Sequence, residues 1–449
     1  MMRYIILTLF AVAPVLNIGA LRFDDWFDGR SLRLDYMLCG NNTKSEVYFC
    51  RSFVAEKWAG RRSNLDKVLF EGNGNIILTD YETGDTLYIN SFCHLFSEWQ
   101  SYPEAKFVDR AIETTLLVPM PKKKVNVTVN LIDMHRKTVA SAHHTVDPAD
   151  ILIRPIGENG YAHRTLEYHG DEATHIDVAI LAEGYQLADS AKFYSDARRS
   201  IEMLMSYEPF KSLREKFNFH AVMCPSIDSG TSYPHEGRWN NTALGSHFDT
   251  FYTDRYLTTL HAHKMADALS CVPYEHPFVI VNTPVYGGGG VFNQIMLAAI
   301  DHPLIAELIV HEFGHSYAGL GDEYDYAEEG SDPMYDVTVE PFEPNLTTLV
   351  DFNSKWADLM PKDTPIPTPK AAIPDFRKAR TAEEFAEIDA ATQRVGVFEG
   401  GGYMTKGVYR PAQECMMKIL QTKYFCPVCD RAIRRVTEFY TTPNATSIM

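Results

Sequence analysis

The 449-residue sequence predicts an all-β sandwich domain over residues 21–150, followed by an α+β domain over 151–449. Three observations carry this. Alternation in "KVNVTVNLID" places Val125, Val127, Val129 and Leu131 on one face of a strand. The segment "DPADILIRPIGENG", with two prolines and two glycines, then interrupts the β pattern and marks a boundary. Beyond it, buried-strand runs alternate with helical periods, among them a long apolar stretch that leads to "HEFGHSYAGLGDEY".

The chain opens with "MMRYIILTLFAVAPVLNIGA": one positive charge at Arg3, an apolar run, then the small residues Gly19 and Ala20. That order is expected of a secretory signal peptide over residues 1–20, and the run is short and Pro-interrupted for a membrane span. An anchor that stays attached is the alternative reading. No other segment approaches the ~20 apolar residues that a span requires. The mature chain is therefore expected outside the cytoplasm, whether secreted, periplasmic or at the cell surface.

Composition supports compact folding, with 45% hydrophobic, 12% aromatic and 22% charged residues. Without the first twenty residues, 41 Lys and Arg face 59 Asp and Glu, a net charge of −18. Nucleic acid and anionic lipid are disfavoured as partners by that field. The eight cysteines form an even count that an exported chain could pair. By proximity the candidate pairs are Cys39 with Cys50, Cys224 with Cys271, and Cys415 with Cys426 or Cys429.

In the first part, "EVYF", "NIILTDYETGDTLYI", "TTLLVP" and "VNVTVNLID" are short β runs separated by turn residues. In the second, "THIDVAILAEGY" reads as a buried strand ending at Gly184, and "DSAKFYSDARRSIEMLMS" as a helix capped by Asp189 or Ser190. "FNFHAVMC" and "PFVIVN" are further strands. The glycine run Gly287–Gly290 lacks the Gly-Lys-Ser/Thr of a phosphate loop, so it reads as backbone that must approach a neighbouring strand or an extended ligand. Gly288, Gly289 and Gly290 are accordingly candidate substrate-binding residues, able to add an extended peptide as a β-strand.

"DHPLIAELIVHEFGHSYAGLG" predicts a helix with Asp301 or His302 as cap, Pro303 at its first position, and Gly319 and Gly321 at its end. Residues four apart share a helix face, so His311 and His315 can converge on one metal ion. Glu312 lies one step round, beside the metal, where it can act as general base on a water. The bland alternative is a core helix carrying two satisfied histidines. A catalytic zinc commonly takes three protein ligands and keeps one position open. The place that the metzincin pattern gives its third ligand falls here on Gly321. Asp322 is the favoured third ligand, with Glu323 as the alternative, and whichever is not bound can orient a histidine.

Downstream, "YRPAQECMMKILQTKYFCPVCDRAI" offers Met417 as a methionine turn beneath the metal, against a reading of Met416 and Met417 as plain core residues. Its CPVC pair lacks the second close cysteine pair of a zinc ribbon and any thioredoxin-like context, which favours structural disulfides. Isolated His235 and His247 are more often loop residues than ligands, and Asp228 and Asp249 can equally cap turns.

The motifs "PSIDSGTSYP", "ALGSHFDTFYTDRYL", "YGGGGVFN", "HEFGHSYAGLGDEY" and "YRPAQECMM…FCPVC" together resemble the IgA-peptidase family of secreted bacterial zinc metalloendopeptidases, over roughly residues 160–440. "RLDYMLCG", "KWAG" and "LFSEWQSYPEA" resemble the β-rich domain preceding the peptidase domain in that family. The resemblance implies a zincin-like (metzincin-like) catalytic fold, one Zn2+, His311 and His315 as ligands, Glu312 as base and an acidic third ligand in "GDEY". The partner it implies is a protein or peptide substrate. Tyr324, Tyr409 and Arg410 lie in motif segments as possible oxyanion donors. Two rivals are a catalytically silent zincin-fold binding or adhesion protein and a zinc amidase acting on cell-wall peptides; retention of Glu312 counts against the first.

Overall fold

The computed structural model describes residues 21–157, 159–326, 333–376, 378–420 and 422–442. The signal peptide expected over residues 1–20 lies outside these. Among the described residues no helix is long and apolar enough to cross a membrane.

The first part holds strands β1 (Phe27–Gly40), β2 (Ser45–Ala55), β3 (Gly74–Asp80), β4 (Thr86–Phe92), β5 (Arg110–Pro121), β6 (Val125–Ile132), β7 (Thr138–Val146) and the short β8 (Arg154–Pro155). They form two four-stranded sheets, β5-β1-β2-β8 and β4-β3-β6-β7. All pairings are antiparallel except β2 with β8. Leu32, Leu34 and Tyr36 of β1 share one core with Ile76 and Leu78 of β3 and with Val125, Val127 and Val129 of β6. The alternation read from "KVNVTVNLID" is the burial pattern of β6: every second residue is buried and its neighbours are half-buried.

The second part is mixed α and β. Strands β9 (Ala162–Glu167), β10 (Ile176–Glu183), β11 (Phe217–Met223), β12 (His276–Val281), β13 (Gly288–Val291) and β14 (Ile295–Ala299) form a six-stranded sheet ordered β13-β14-β12-β10-β11-β9. The four inner strands are parallel and the two edge strands antiparallel. Each inner strand is buried along its whole length, as a sheet covered on both faces requires, which explains why these runs do not alternate. Gly184 ends β10 at φ +73°, where a Cβ would lie 1.9 Å from the Gly230 carbonyl oxygen. A two-stranded hairpin, β15 (Phe398–Gly401) and β16 (Met404–Arg410), follows, then a C-terminal helix, Pro427–Thr441.

The histidine-bearing helix spans Ile305–Ala318 and packs against β13, β14, the helix Ser190–Leu204 and the C-terminal helix. Its start differs from expectation. Leu304 is the N-cap, no side chain caps it, and residues 302–304 make a turn in which His302 Nδ1 accepts from the Leu304 N–H at 3.1 Å. Its end matches: Gly319 is the C-cap at φ +61° and donates to the carbonyls of Gly314 and His315.

Buried polar contacts tie the two parts together. Arg33 of β1 is 2% exposed and pairs with both Asp35 at 2.8 Å and Asp267 at 2.6 Å. Asn293 donates to the Ser91 carbonyl and the Cys93 N–H donates to the Phe292 carbonyl. Across the junction the buried guanidinium also donates to the His263 carbonyl, while Asp267 is largely exposed, so losing Arg33 would leave a buried acceptor unmet.

The expected disulfides are absent among the described residues, whose cysteines are all free. Cys39 pairs across the ladder with Glu46, whereas Cys50 lies beside the Phe49↔Tyr36 pair. About three ladder steps, roughly 10 Å, separate the two, beyond the span of a disulfide. The Cys224 thiol is buried on the Ala182 carbonyl at 2.9 Å, and Cys271 rests on the Ala268 carbonyl. Cys415 and Cys429 have sulfurs 3.8 Å apart, well outside bonding distance.

Candidate metal centre

Helical periodicity stacks His311 and His315 one turn apart, and their rings meet edge to face with centroids 4.7 Å apart. Their Nε2 atoms are 3.0 Å apart. Asp322 Oδ1 lies 3.2 Å from His311 Nε2 and 3.3 Å from His315 Nε2. Three donors around a tetrahedral zinc with metal–ligand bonds of about 2.05 Å would be about 3.3 Å apart. The fit also rests on Asp322 Oδ1 itself, a buried carboxylate oxygen without a hydrogen-bond partner.

The far side of each ligand is held. His311 Nδ1 donates to the Met416 carbonyl at 3.1 Å and His315 Nδ1 to the Leu320 carbonyl at 2.5 Å, which leaves both Nε2 atoms to the shared centre. The Tyr403 hydroxyl donates to Asp322 Oδ2 at 3.0 Å. Tyr403 is the second residue of the β15–β16 turn; Gly402 and Tyr403 both have positive φ, as a two-residue hairpin needs. The same tip binds the ligand loop by backbone, with Gly402 N–H on the Asp322 carbonyl and Tyr403 N–H on the Tyr324 carbonyl.

Electrostatics favour a positive charge between these groups. Burial works against ionisation of Asp322, but His315 and His311 hold its carboxyl well below the usual carboxylate range. Burial likewise disfavours a charged His315, yet the Asp322 carboxylate pushes it up to about 9. Glu312 is 8% exposed, and burial pushes its carboxyl above the ordinary range against the pull of His311 and His315.

The glycine strand β13 forms the edge of the sheet against the histidine helix. A Cβ on Gly290 would lie 2.3 Å from the Glu312 carbonyl oxygen and 2.9 Å from His315 Cβ. One on Gly288 would lie 3.2 Å from Glu312 Cγ, and one on Gly289 2.9 Å from Tyr256 Cε2. Packing against the helix and the 256–257 segment therefore accounts for these glycines. Met417 is buried beneath the helix, where a Cβ on Gly314 would meet its sulfur at 3.0 Å.

The two adjacent carboxylates turn to different neighbours. Asp322 joins the histidines, whereas Glu323 is fully buried among Cys415, Cys426 and Cys429. His235 and His247 do not join the triad: the first pairs with Asp249 and the second bonds the Phe248 carbonyl. Asp228 accepts from the Asn241 N–H and Asp249 from the His235 N–H, which are loop-holding roles. Arg410 is fully buried on the carbonyls of Glu399, Gly400 and Gln413, and Tyr409 pairs with Thr347 through its backbone. The Tyr324 ring lies tilted beside His311, with ring centroids 6.2 Å apart.

The family model of the IgA peptidase M64 matches residues 165–437, and the model of the peptidase M64 N-terminus matches residues 22–142. The chain belongs to the IgA peptidase M64 family. No curated protein matches it. Membership makes this M64 protein a peptidase, with protein or peptide substrates, and suggests a metal, for which the His311–His315–Asp322 group is one candidate among the described residues.

Sequence reading missed several supports of the M64 site. Tyr403, far downstream in "GGGYM", belongs to no motif; adjacent glycines mark a turn but not what its tip touches. Tyr286 was also missed. Burial together with Glu312 pushes its phenol up to about 12.

Proposed function

We propose that this M64 protein is an exported zinc endopeptidase with a zincin-like (metzincin-like) catalytic domain over residues 151–449 behind a β-sandwich domain over 21–150. One Zn2+ is held by His311, His315 and Asp322, with Glu312 as general base. The observation that carries the reading is the convergence of two Nε2 atoms and one buried, unpartnered carboxylate oxygen beside a glutamate on the same helix.

When bound, zinc supplies Lewis acidity to the scissile carbonyl and to the attacking water. The chain's residues do the rest. Carbonyls of Met416 and Leu320 fix the tautomers that present both Nε2 lone pairs. Tyr403 fixes Asp322 through its outer oxygen and leaves Oδ1 for the cation. Glu312 accepts the proton of the attacking water and passes it to the departing amine. Burial raises its carboxyl above the ordinary range, which makes it a stronger proton acceptor than a solvated glutamate.

The test compares wild type with Glu312→Gln by metal analysis and digestion of a peptide library. Zinc retained with cleavage lost is expected; equal cleavage by the variant removes Glu312 from the mechanism. Product masses from a denatured protein mixture separate an endopeptidase from a cell-wall amidase, which would leave the mixture intact.

A further inference from the structure

Behind the histidine triad lies a second group of metal-binding atoms that the peptidase chemistry does not use. Glu323, Cys415, Cys426 and Cys429 place one ligand atom each within 4.8 Å of all the others. All four residues are 0% exposed. We propose that these three thiolates and one carboxylate bind a second, structural Zn2+, which fastens the Asp322 loop, the methionine segment and the C-terminal helix to one another.

Distance decides between a metal and a disulfide. Tetrahedral zinc with Zn–S bonds of about 2.3 Å sets its sulfurs about 3.8 Å apart, whereas a disulfide needs about 2.05 Å. Cys415 Sγ and Cys429 Sγ are 3.8 Å apart, and Cys429 Sγ is 3.4 Å from Glu323 Oε1. The second observation is Glu323 itself. Its Oε2 is buried without any hydrogen-bond partner, while Oε1 is positioned by Asn345 Nδ2 at 2.9 Å. A buried carboxylate with one oxygen lacking a donor is expensive, and a cation bound by the same carboxylate offsets the cost.

The backbone is arranged for thiolates rather than thiols. Cys426 is the N-cap of the C-terminal helix, with Pro427 at the first turn and Cys429 in it, where the helix dipole favours negative charge. The Cys426 N–H points at Cys415 Sγ at 3.3 Å, a donor aimed at a sulfur. Three sulfurs with one carboxylate, closed off from solvent, are the donor set of a structural zinc site with no open position.

The two centres share covalent neighbours. Glu323 follows Asp322, and Cys415 precedes Met416, whose carbonyl holds His311. The Glu323 N–H donates to the Met417 carbonyl at 2.8 Å. A metal here therefore positions both the third ligand and the histidine support of the proposed catalytic ion.

The experiment uses the full-length protein prepared under reducing conditions. Zinc content and free thiols are measured for wild type, for a His311→Ala/His315→Ala double variant and for Cys429→Ser. Wild type is expected to hold two zinc ions per chain and the double variant one, and cobalt bound to the double variant should give intense thiolate-to-metal charge-transfer absorption. Cys429→Ser should lose that absorption. A double variant that stays folded by circular dichroism but binds no metal overturns the proposal, as does a mass showing a disulfide among the three cysteines. The double variant leaves the cysteine cluster untouched, so the test holds even if Cys429→Ser fails to fold. Absence of proteolysis in wild type with two zinc ions bound would count against the peptidase reading and leave the second site standing.

Discussion

Replacing Tyr403 by Phe deletes one hydroxyl and tests whether the β15–β16 tip governs the triad. The ring keeps its contacts with Tyr324 and Tyr326, at centroid distances of 5.3 and 5.9 Å, and the backbone bonds from Gly402 and residue 403 to the ligand loop persist. What is lost is the 3.0 Å bond to Asp322 Oδ2. A hydrogen bond to a charged acceptor is worth about 1.5–3 kcal/mol, and each 1.4 kcal/mol is about tenfold in affinity. Zinc affinity at the triad should therefore fall about 10–100-fold, in line with other losses of a ligand's supporting bond. Competition with a chelator, followed through loss of peptidase activity, reads this number. The bond is also made in the metal-free fold, to a buried carboxylate, so thermal unfolding of the metal-free variant should show a loss of about 1–3 kcal/mol as well. A chelator midpoint within twofold of wild type would refute the argument that this hydroxyl orients Asp322.

Glu312→Gln should lower kcat by about 10²–10⁴ with zinc stoichiometry unchanged, and a rate within tenfold of wild type would exclude general-base work by this residue. Gly290→Ala forces a Cβ to within 2.3 Å of the Glu312 carbonyl oxygen, so β13 must move from the helix. A stability loss of about 1–3 kcal/mol is expected from denaturant unfolding, and a neutral result would show that the edge strand gives way freely. His276 is buried among the rings of Phe313, Tyr317 and Tyr440, and burial pulls its imidazole down to about 3. Only the unfolded chain takes up that proton between about pH 6.5 and 3, so stability falls as acid is added, by about 1.4 kcal/mol per pH unit for this group. His276→Phe should flatten the acid limb of a stability–pH curve; an unchanged slope would assign the sensitivity elsewhere.

Local pattern made much of this legible. Period 3.6 with a following glycine located the histidine helix, and period 2 located β6, because in both the apolar face packs on a contiguous core. The helix starts two residues later than Pro303 suggests; of the two expected caps, His302 does accept a backbone N–H through its ring nitrogen, but in a turn ahead of the helix. The choice between Asp322 and Glu323 could not come from spacing. Tyr403 and Asn345 reach the two carboxylates from other segments of the chain and hold them toward different neighbours. The cysteines were misread for the same reason: Cys415 stands apart from the CPVC pair, and the group's fourth member is a glutamate that no cysteine count reveals.

The hairpin that grips the Asp322 loop comes from a different stretch of the chain than the helix that carries both histidines. Changes at the hairpin tip can therefore loosen or tighten the hold on Asp322 while the histidine helix and its packing stay as they are.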